Sequence, residues 1–212
     1  MKKIIVFGAT GGTGLQITNQ LLERGYEVTI ILRNPSALNL QHQNLKVSRG
    51  DVLQPDSFAE AIKDMDVVIS TLGTGKNLGP TKIYSEGVNN IMSEMSKNNI
   101  KRIICISSGA LYTNSKMGFL IRLLTKVVLH RVLKEIYSDM RIMESNIQKT
   151  NFNYTIFRPP MLKDKPLKGK YRVAINDNLK MPFSIGRADL AHCIIEFISN
   201  TNSYKSFVEI SY

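Results

Sequence analysis

The feature that most constrains this chain is a glycine-rich turn, GATGGTG, at residues 8–14. It follows an apolar strand-like run at residues 3–7 and precedes a helical pattern at residues 13–24. Glycines at this spacing permit a tight turn and let the backbone approach phosphate oxygens, which accept hydrogen bonds from free amides at the helix N-terminus. The alternative is an ordinary glycine-rich connection. The residues predicted to hold a dinucleotide pyrophosphate are Gly8, Thr10, Gly11, Gly12, Thr13 and Gly14.

Strand-like and helical patterns alternate along most of the chain. Six apolar runs predict parallel strands, because a strand that helices cover on both faces needs no polar face. The predicted strands span residues 3–7, 27–32, 45–48, 66–71, 101–107 and 153–157, and the predicted helices span residues 13–24, 57–63, 80–97 and 135–149. Right-handed crossovers then give an α/β, three-layer Rossmann fold with a doubly wound, mostly parallel sheet.

The pattern changes after residue 157. A lysine-rich loop to residue 170, a short strand at 171–175 and a helix at 187–198 are expected, so that residues 158–212 contribute the substrate side. A last strand at 206–210 is expected to close one edge of the sheet. We interpret residues 1–212 as a single domain, because this length suits one well-buried α/β unit.

Composition restricts the kind of partner. The formal charge is +11, from 28 Lys and Arg against 17 Asp and Glu, which favours an anionic partner. The cations are spread along the chain without a zinc-finger or RNA-binding pattern, so no nucleic-acid partner is expected. Cys105 and Cys193 lie in separate apolar segments without neighbouring ligands, which predicts reduced core thiols and no metal site.

No stretch reaches the roughly 20 apolar residues that span a bilayer, and the first apolar run is too short for a signal peptide. These patterns predict a cytoplasmic protein, a monomer or homodimer, without membrane contact. One basic, apolar stretch at residues 116–135 is predicted to be a lid helix over the active site. The alternative is a helix that binds a membrane surface or a partner.

The end of the second predicted strand indicates which dinucleotide binds. An acidic residue at that position holds the ribose 2′-hydroxyl of NAD, whereas an arginine accommodates the 2′-phosphate of NADP. The chain has Arg33 there, with Asn34 as a possible helper, which predicts NADP(H) as the cofactor. The alternative is that Arg33 is one more surface cation.

Two further segments are predicted to contact the cofactor. Asp51 and Val52, just past the third strand, are placed to meet the adenine, the first as an acceptor and the second by packing. A small-residue segment follows the fourth strand, at the edge where open sheets bind ligands. The residues of this segment that are predicted to line the middle of the cofactor are Leu72, Gly73 and Thr74.

These motifs, together with residues 50–54, 85–87 and 158–160, resemble the atypical short-chain dehydrogenase/reductase superfamily in its NAD(P)-binding, NmrA-like branch. Within it, the chain is similar to the NADPH-dependent flavin reductase/biliverdin reductase B group. The resemblance covers nearly the whole chain, and residues 116–135 are the main departure. The run PPMLKDKPLKG at residues 159–169 resembles the proline-rich substrate loop of that group.

The resemblance implies how the far end of the cofactor is held. Ser108, after the fifth strand, would lie beside the nicotinamide, and Pro159 and Pro160 would lie near its carboxamide end. Ser107, the last residue of that predicted strand, is also predicted to contact the cofactor.

Tyr112 and Met161 are predicted to lie on the substrate side. Met161 stands where the reductase group has a histidine, so no role of that histidine is transferred to this chain.

Ordinary short-chain dehydrogenases carry a Tyr-x-x-x-Lys pair, and this chain has Tyr137-x-x-x-Arg141. A neighbouring cation lowers the pKa of a phenol, which makes Tyr137 a candidate catalytic acid. However, Met140 occupies the position of the lysine in related members, so Arg141 is one residue out of register. We therefore favour a position on the helix surface for Tyr137 and Arg141 over a catalytic one.

The leading functional hypothesis is an NADPH-dependent oxidoreductase that transfers hydride to a flavin or a related conjugated acceptor, bilin or quinone-like. The cofactor carries the difficult step, and Ser108 or a bound water assists proton delivery. The alternative for Ser108 is that it caps the strand or binds the cofactor. The alternative for the chain is a non-catalytic NADP(H)-binding redox sensor or regulator of the NmrA-like type. An epimerase or dehydratase is disfavoured because the Tyr-Lys pair is missing.

Overall fold

The computed structural model describes residues 2–75, 77–112 and 130–212. Among these residues, the four longer helices are α1 (Gly12–Glu23), α2 (Ser85–Lys97), α3 (Lys134–Gln148) and α4 (Arg187–Glu196). The strands are β1 (Lys3–Phe7), β2 (Glu27–Leu32), β3 (Leu45–Arg49), β4 (Val67–Ser70), β5 (Arg102–Ile106), β6 (Asn153–Arg158), β7 (Met161–Lys163), β8 (Arg172–Ile175), β9 (Ser184–Gly186) and β10 (Ser206–Ser211).

Eight of the strands form one sheet in the order β3-β2-β1-β4-β5-β6-β10-β8. Every neighbouring pair is parallel except β10 and β8, which are antiparallel. The predicted doubly wound α/β fold is therefore confirmed. The chain builds outward from β1 to β3 in one direction and from β4 onward in the other. The carboxyl ends of β1 and β4 thus flank the switch point at which such sheets bind ligands.

Two apolar cores pack on opposite faces of the sheet, which explains why the strands lack a polar face. One core joins the sheet to α2 and α3 through residues such as Ile91 and Met143, and the other joins it to α1 and α4 through residues such as Ile17. Cys105 lies in the first core and Cys193 in the second, both as free thiols. Burial raises the pKa of each thiol to about 12, so both behave as inert core residues.

The helix predicted at residues 57–63 is wrong. The segment contains a short 3₁₀ turn, Pro55–Ser57, followed by turns, and Phe58 has φ −127° and ψ 2°, outside the α-helical region. The Phe58 ring packs edge-on against Phe7, with the ring centroids 5.1 Å apart. Packing of this buried aromatic ring against the end of β1 therefore outweighs the local helical pattern.

The helix predicted at residues 80–97 begins later than expected, at Ser85. Asp139 of α3 accepts hydrogen bonds from the backbone amides of Tyr84 and Ser85 and from the Ser85 hydroxyl. The carboxylate thus satisfies amides at the start of α2, where an anion also complements the helix dipole. Because this cap comes from another helix, no local sequence pattern marks the true start.

The C-terminal region also differs from expectation. The last strand, β10, lies between β6 and β8, so it is not the edge strand that we predicted. The edge strand on this side of the sheet is β8, which pairs antiparallel with β10. Residues 161–163, predicted as loop, form β7, which pairs in parallel with β9 in a separate ribbon.

Most of the lid helix predicted at residues 116–135 lies outside the described residues. The described part contains a short helical segment, His130–Val132, followed by the start of α3 at Lys134.

Candidate functional site

A cavity of about 440 Å³ opens at the carboxyl ends of β1, β2 and β4. The whole glycine turn except Ala9 contributes to its wall. Asn34 does not, and its side-chain oxygen instead accepts a hydrogen bond from the backbone amide of Ser36. Outside the turn, the predicted site residues that line the cavity are Arg33, Asp51, Val52, Leu72, Gly73 and Thr74.

Two glycines of the turn are required by the local geometry. Gly8 has φ +84°, and a Cβ at this position would lie 2.5 Å from the backbone oxygen of Thr71. A Cβ on Gly14 would lie 2.3 Å from the backbone oxygen of Gly8. Both neighbours are backbone atoms that cannot move aside, so the end of β1 approaches α1 and β4 more closely than any side chain would permit.

The N-terminus of α1 is suited to an anion. No side chain of the described residues caps this helix, and its first turn contains no acidic residue. The first amides of an α-helix have no partner within the helix and lie at the positive end of its dipole. The glycine turn therefore presents backbone donors to the cavity, as a pyrophosphate group requires.

The side of the cavity next to β3 is held by hydrogen bonds to the backbone. The Asp51 carboxylate accepts from the amide of Leu53 at 3.0 Å, and Asn90 of α2 donates to the carbonyl of Val52 at 2.9 Å. Arg33, at the end of β2, is exposed and lines the same side. A Cβ on Gly87 would lie 2.9 Å from the Val52 side chain, so this glycine lets α2 pack closely against Val52.

Sequence reasoning missed Tyr84, which lies behind the cavity wall and does not line the cavity itself. Tyr84 is buried and forms hydrogen bonds with Thr74, whose side of the cavity it supports. Burial raises the pKa of Tyr84, so its hydroxyl stays protonated. No sequence signal was available, because the contact depends on where α3 places α2 through Asp139.

Arg187 was also missed. It is the first residue of α4, more than 170 positions after the glycine turn, yet it lines the cavity beside Gly12. Its Nη1 lies 2.8 Å from a carboxylate oxygen of Asp164. Only the packing of α1 against α4 brings this cation to the end of the cavity formed by the glycine turn.

The ends of β5 and β6 form a second region, which we call the β5–β6 edge and define as residues 107–112 and 158–161. The Gly109 amide donates to the carbonyl of Pro159 at 2.8 Å, which joins the two segments. The Ser108 hydroxyl accepts from the amide of Ala110 at 3.2 Å. The Ser107 hydroxyl is buried and has no hydrogen-bond partner among the described residues, which fits a polar group of a bound cofactor.

Tyr137 corrects one of our expectations. We favoured the helix surface, but Tyr137 is only 5% exposed, because α3 directs this face toward the sheet. Its hydroxyl is hydrogen-bonded to Ser108, so the two candidate catalytic residues are in contact. Burial raises the pKa of Tyr137, while the bond to Ser108 and the charge of Arg141 act in the opposite direction. Arg141 itself is exposed and donates to the carbonyl of Leu111 at 3.0 Å.

A buried ion pair supports the β5–β6 edge. Arg158 donates from Nε and Nη2 to the two oxygens of Glu144, at 3.0 and 2.6 Å, and Glu144 is almost fully buried. The Arg158 guanidinium also stacks over the ring of Phe207 at 3.6 Å and over the ring of Tyr112 at 4.6 Å. Tyr112 and Met161, predicted for the substrate side, are exposed on either segment of this edge.

Among the described residues, no group of three or more His, Cys, Asp or Glu side chains is arranged to hold a metal ion. Within the same part of the chain, no helix combines the length and apolar character needed to cross a membrane.

A parallel sheet with a glycine turn at its switch point, free helix amides and an arginine at the end of β2 defines a dinucleotide-binding Rossmann protein. Comparison with known proteins agrees. Residues 8–201 match the model of a family described as NAD(P)H-binding, and the chain belongs to that family. Solved structures that superpose on the whole chain at 19 to 22% identity, with TM-scores of 0.80 to 0.81, share its fold.

Individual relatives are more distant. An uncharacterized chloroplastic protein of Arabidopsis thaliana is 31% identical, and the match covers 99% of this chain and 76% of that protein. The photosystem II assembly factor Ycf39 of Cyanophora paradoxa is 28% identical over 73% of this chain, but the match spans only 44% of that protein. A short-chain dehydrogenase/reductase of Veillonella parvula, crystallised with NADP, superposes with a TM-score of 0.80 at 19% identity, over 100% of this chain and 94% of the other.

Proposed function

We propose that this protein is an NADPH-dependent reductase that transfers hydride to a flavin or a related conjugated acceptor. The observation that carries the proposal is the hydrogen-bonded pair of Ser108 and Tyr137 at the β5–β6 edge, beside the cavity that suits a dinucleotide. A proton donor next to the expected nicotinamide position is what a hydride acceptor needs to complete its reduction.

Strand order supports a cofactor orientation with the 2′-phosphate at Arg33 and the nicotinamide at Ser108. Arg33 lies at the end of β2 and Ser108 follows β5, and the order β2-β1-β4-β5 separates the two strands by three spacings. At about 4.8 Å per spacing, the ends lie roughly 14 Å apart. We propose that Arg33 binds the 2′-phosphate, that the glycine turn binds the pyrophosphate, and that the nicotinamide reaches Ser107 and Ser108.

The bound cofactor supplies the hydride, and the protein supplies orientation and a proton. Because its pKa is raised, the phenol of Tyr137 is protonated at neutral pH and donates to an acceptor through Ser108. The acceptor gains two electrons with the hydride and one proton from Tyr137, which solvent then reprotonates. NADP⁺ and the reduced acceptor are the products.

The surroundings of the edge favour a planar acceptor. Tyr112 and Met161 offer exposed apolar surface against which a conjugated ring system packs, and Pro159 and Pro160 stiffen the segment between β6 and β7. Arg141, near the ring of Tyr112, adds positive charge for an anionic substituent. These features support a flavin, bilin or quinone, which also accords with the resemblance of residues 159–169 to a substrate loop.

The test mixes purified protein with NADPH and, in turn, FMN, biliverdin and a soluble quinone, and follows the loss of NADPH absorbance. We expect turnover with at least one of these acceptors and a rate at least tenfold lower with NADH. NADPH binding at micromolar concentration without turnover on any of the three acceptors would rule out the reductase.

A second candidate is a non-catalytic sensor that binds NADP(H) and regulates a protein partner. Met140 is buried where related enzymes have lysine, and the pKa of Tyr137 is raised and not lowered, so the usual activation of the tyrosine is missing. A relative that functions as an assembly factor also favours this alternative. Under this proposal, NADP⁺ and NADPH bind with different affinities, and the assay above shows no turnover.

A further inference from the structure

Arg187 has an unusual place in the molecule. It starts α4, but its side chain lies over Gly12, the first residue of α1. A Cβ on Gly12 would lie 2.7 Å from Cδ and 2.9 Å from Nε of Arg187. The missing side chain at position 12 therefore makes room for a guanidinium group at the end of the helix whose amides face the cavity.

The same guanidinium contacts the segment between β7 and β8. Arg187 Nη1 lies 2.8 Å from Oδ1 of Asp164, which is 88% exposed. A few residues later, the amides of Lys168 and Gly169 donate to Oδ1 of Asp189 at 3.0 and 2.7 Å. Helix α4 thus holds this segment at two points, through the buried Asp189 and through the half-buried Arg187.

We propose that Arg187 binds the pyrophosphate of the dinucleotide and that its pairing with Asp164 ties residues 164–169 to the occupied cofactor site. A guanidinium group has five N–H donors in a planar fork, so it can bind a phosphate with one edge and a carboxylate with another. The proposal depends on dinucleotide binding alone and not on the reductase activity proposed above.

The first test compares two ligands by isothermal titration calorimetry. NADPH contains the pyrophosphate, whereas 2′-AMP offers the adenine and the 2′-phosphate without it. For Arg187→Met we expect NADPH binding at least about tenfold weaker, as for the loss of one charge-assisted hydrogen bond, and 2′-AMP binding within about twofold of the unmodified protein. Arg33→Asp, in contrast, should weaken the binding of both ligands.

The matched control is Arg24→Met. Arg24 pairs with Glu196 between the opposite ends of α1 and α4, and α1 has 12 residues, so the pair lies about 18 Å along the helix from Gly12. This variant loses one cation from the same helix pair, and we expect unchanged NADPH binding. Arg187→Lys keeps the charge but loses the planar fork of donors, so it should bind NADPH with intermediate affinity. This variant provides the test if Arg187→Met does not fold.

Two results would overturn the assignment. Wild-type NADPH affinity in both Arg187→Met and Arg187→Lys would show that Arg187 does not bind the pyrophosphate. Equal weakening of NADPH and 2′-AMP would show that Arg187 supports the site as a whole.

The link to the segment is tested by amide hydrogen exchange at saturating NADPH. NADPH should slow exchange in peptides that cover residues 162–170 of the unmodified protein, and this protection should fall by at least half in Asp164→Ala. Because Asp164 is exposed, its replacement leaves the fold intact. Equal protection in the two proteins would mean that Asp164 does not connect the segment to the cofactor.

Discussion

The dinucleotide cavity and the β5–β6 edge lie side by side at the carboxyl end of one sheet, but they are built differently. The cavity is formed mainly by backbone: Gly8 and Gly14 permit close approach, and helix amides provide the donors. The edge is formed by side chains from distant elements, with Tyr137 and Glu144 of α3 meeting Ser108 and Arg158. The cavity should therefore be most sensitive to substitutions that add a side chain to a glycine. The β5–β6 edge should be most sensitive to substitutions that remove one partner of a contact.

The largest effect is expected at the edge. Arg158→Met leaves the carboxylate of Glu144 buried without its cation, and breaking a buried pair in this way costs about 3 to 5 kcal/mol. Urea unfolding measures the loss. Arg141→Met is the control, because this exposed arginine makes one hydrogen bond to a backbone carbonyl, and its loss should cost less than about 1 kcal/mol. Similar values for the two variants would contradict the distinction.

In the cavity, Gly8→Ala should cost about 3 kcal/mol of unfolding free energy and abolish NADPH binding. The substitution combines an unfavourable φ of +84° with a Cβ that would lie 2.5 Å from a backbone oxygen. Gly25→Ala separates the two causes, because Gly25 has φ +80° with no atom within 4 Å of the added Cβ. The control should cost only about 1 kcal/mol. Equal losses would show that steric contact with β4 is unimportant.

Removing the hydroxyl of Tyr137 should impair turnover without affecting cofactor binding. For Tyr137→Phe and Ser108→Ala we expect kcat with the best acceptor to fall about a hundredfold, while the Kd for NADPH changes less than about threefold. Because burial raises the pKa of Tyr137, the rate of the unmodified protein should stay constant through the pH range in which an ordinary tyrosine is protonated and fall only at higher pH. Stopped-flow kinetics between pH 7 and 11 measure both quantities. A rate that falls below pH 9 would exclude Tyr137 as the proton donor.

The smallest effect concerns cofactor choice at the rim of the cavity. Arg33→Asp should weaken NADPH binding about thirtyfold, or roughly 2 kcal/mol, and NADH binding less than about threefold. Arg49→Asp is the control: Arg49 pairs in register with Leu32 at the end of β3, is exposed, and does not line the cavity. The same change of charge there should alter NADPH binding less than about threefold. Equal weakening of NADPH and NADH by Arg33→Asp would show that Arg33 does not bind the 2′-phosphate.

Much of the fold could be predicted from the sequence. The six strands from β1 to β6 fall close to their predicted places, because continuous apolar runs are a local signal for strands covered on both faces. The conformation of residues 57–63 could not be predicted, because it depends on the packing of Phe58 against Phe7 and not on the local helical pattern. The start of α2 depends on Asp139, 54 positions away from Ser85.

The candidate site divides in the same way. Residues 8–14 and Arg33 are identified by their positions relative to a strand end, which a single stretch of sequence contains. Tyr84, Arg187 and the contact between Ser108 and Tyr137 require helices to pack at defined positions on the sheet. The positions at which the helices pack cannot be predicted from the periodicity or spacing of residues along the chain.

The sequence by itself thus determined that the chain forms a doubly wound sheet and where its glycine turn lies, because both depend on neighbours within a few residues. Only the tertiary structure decided that Tyr137 is buried against Ser108, that Asp139 caps α2 and that Arg187 meets the glycine turn. These contacts join residues 29 to 175 positions apart, and their formation depends on the packing of two helical layers on one sheet.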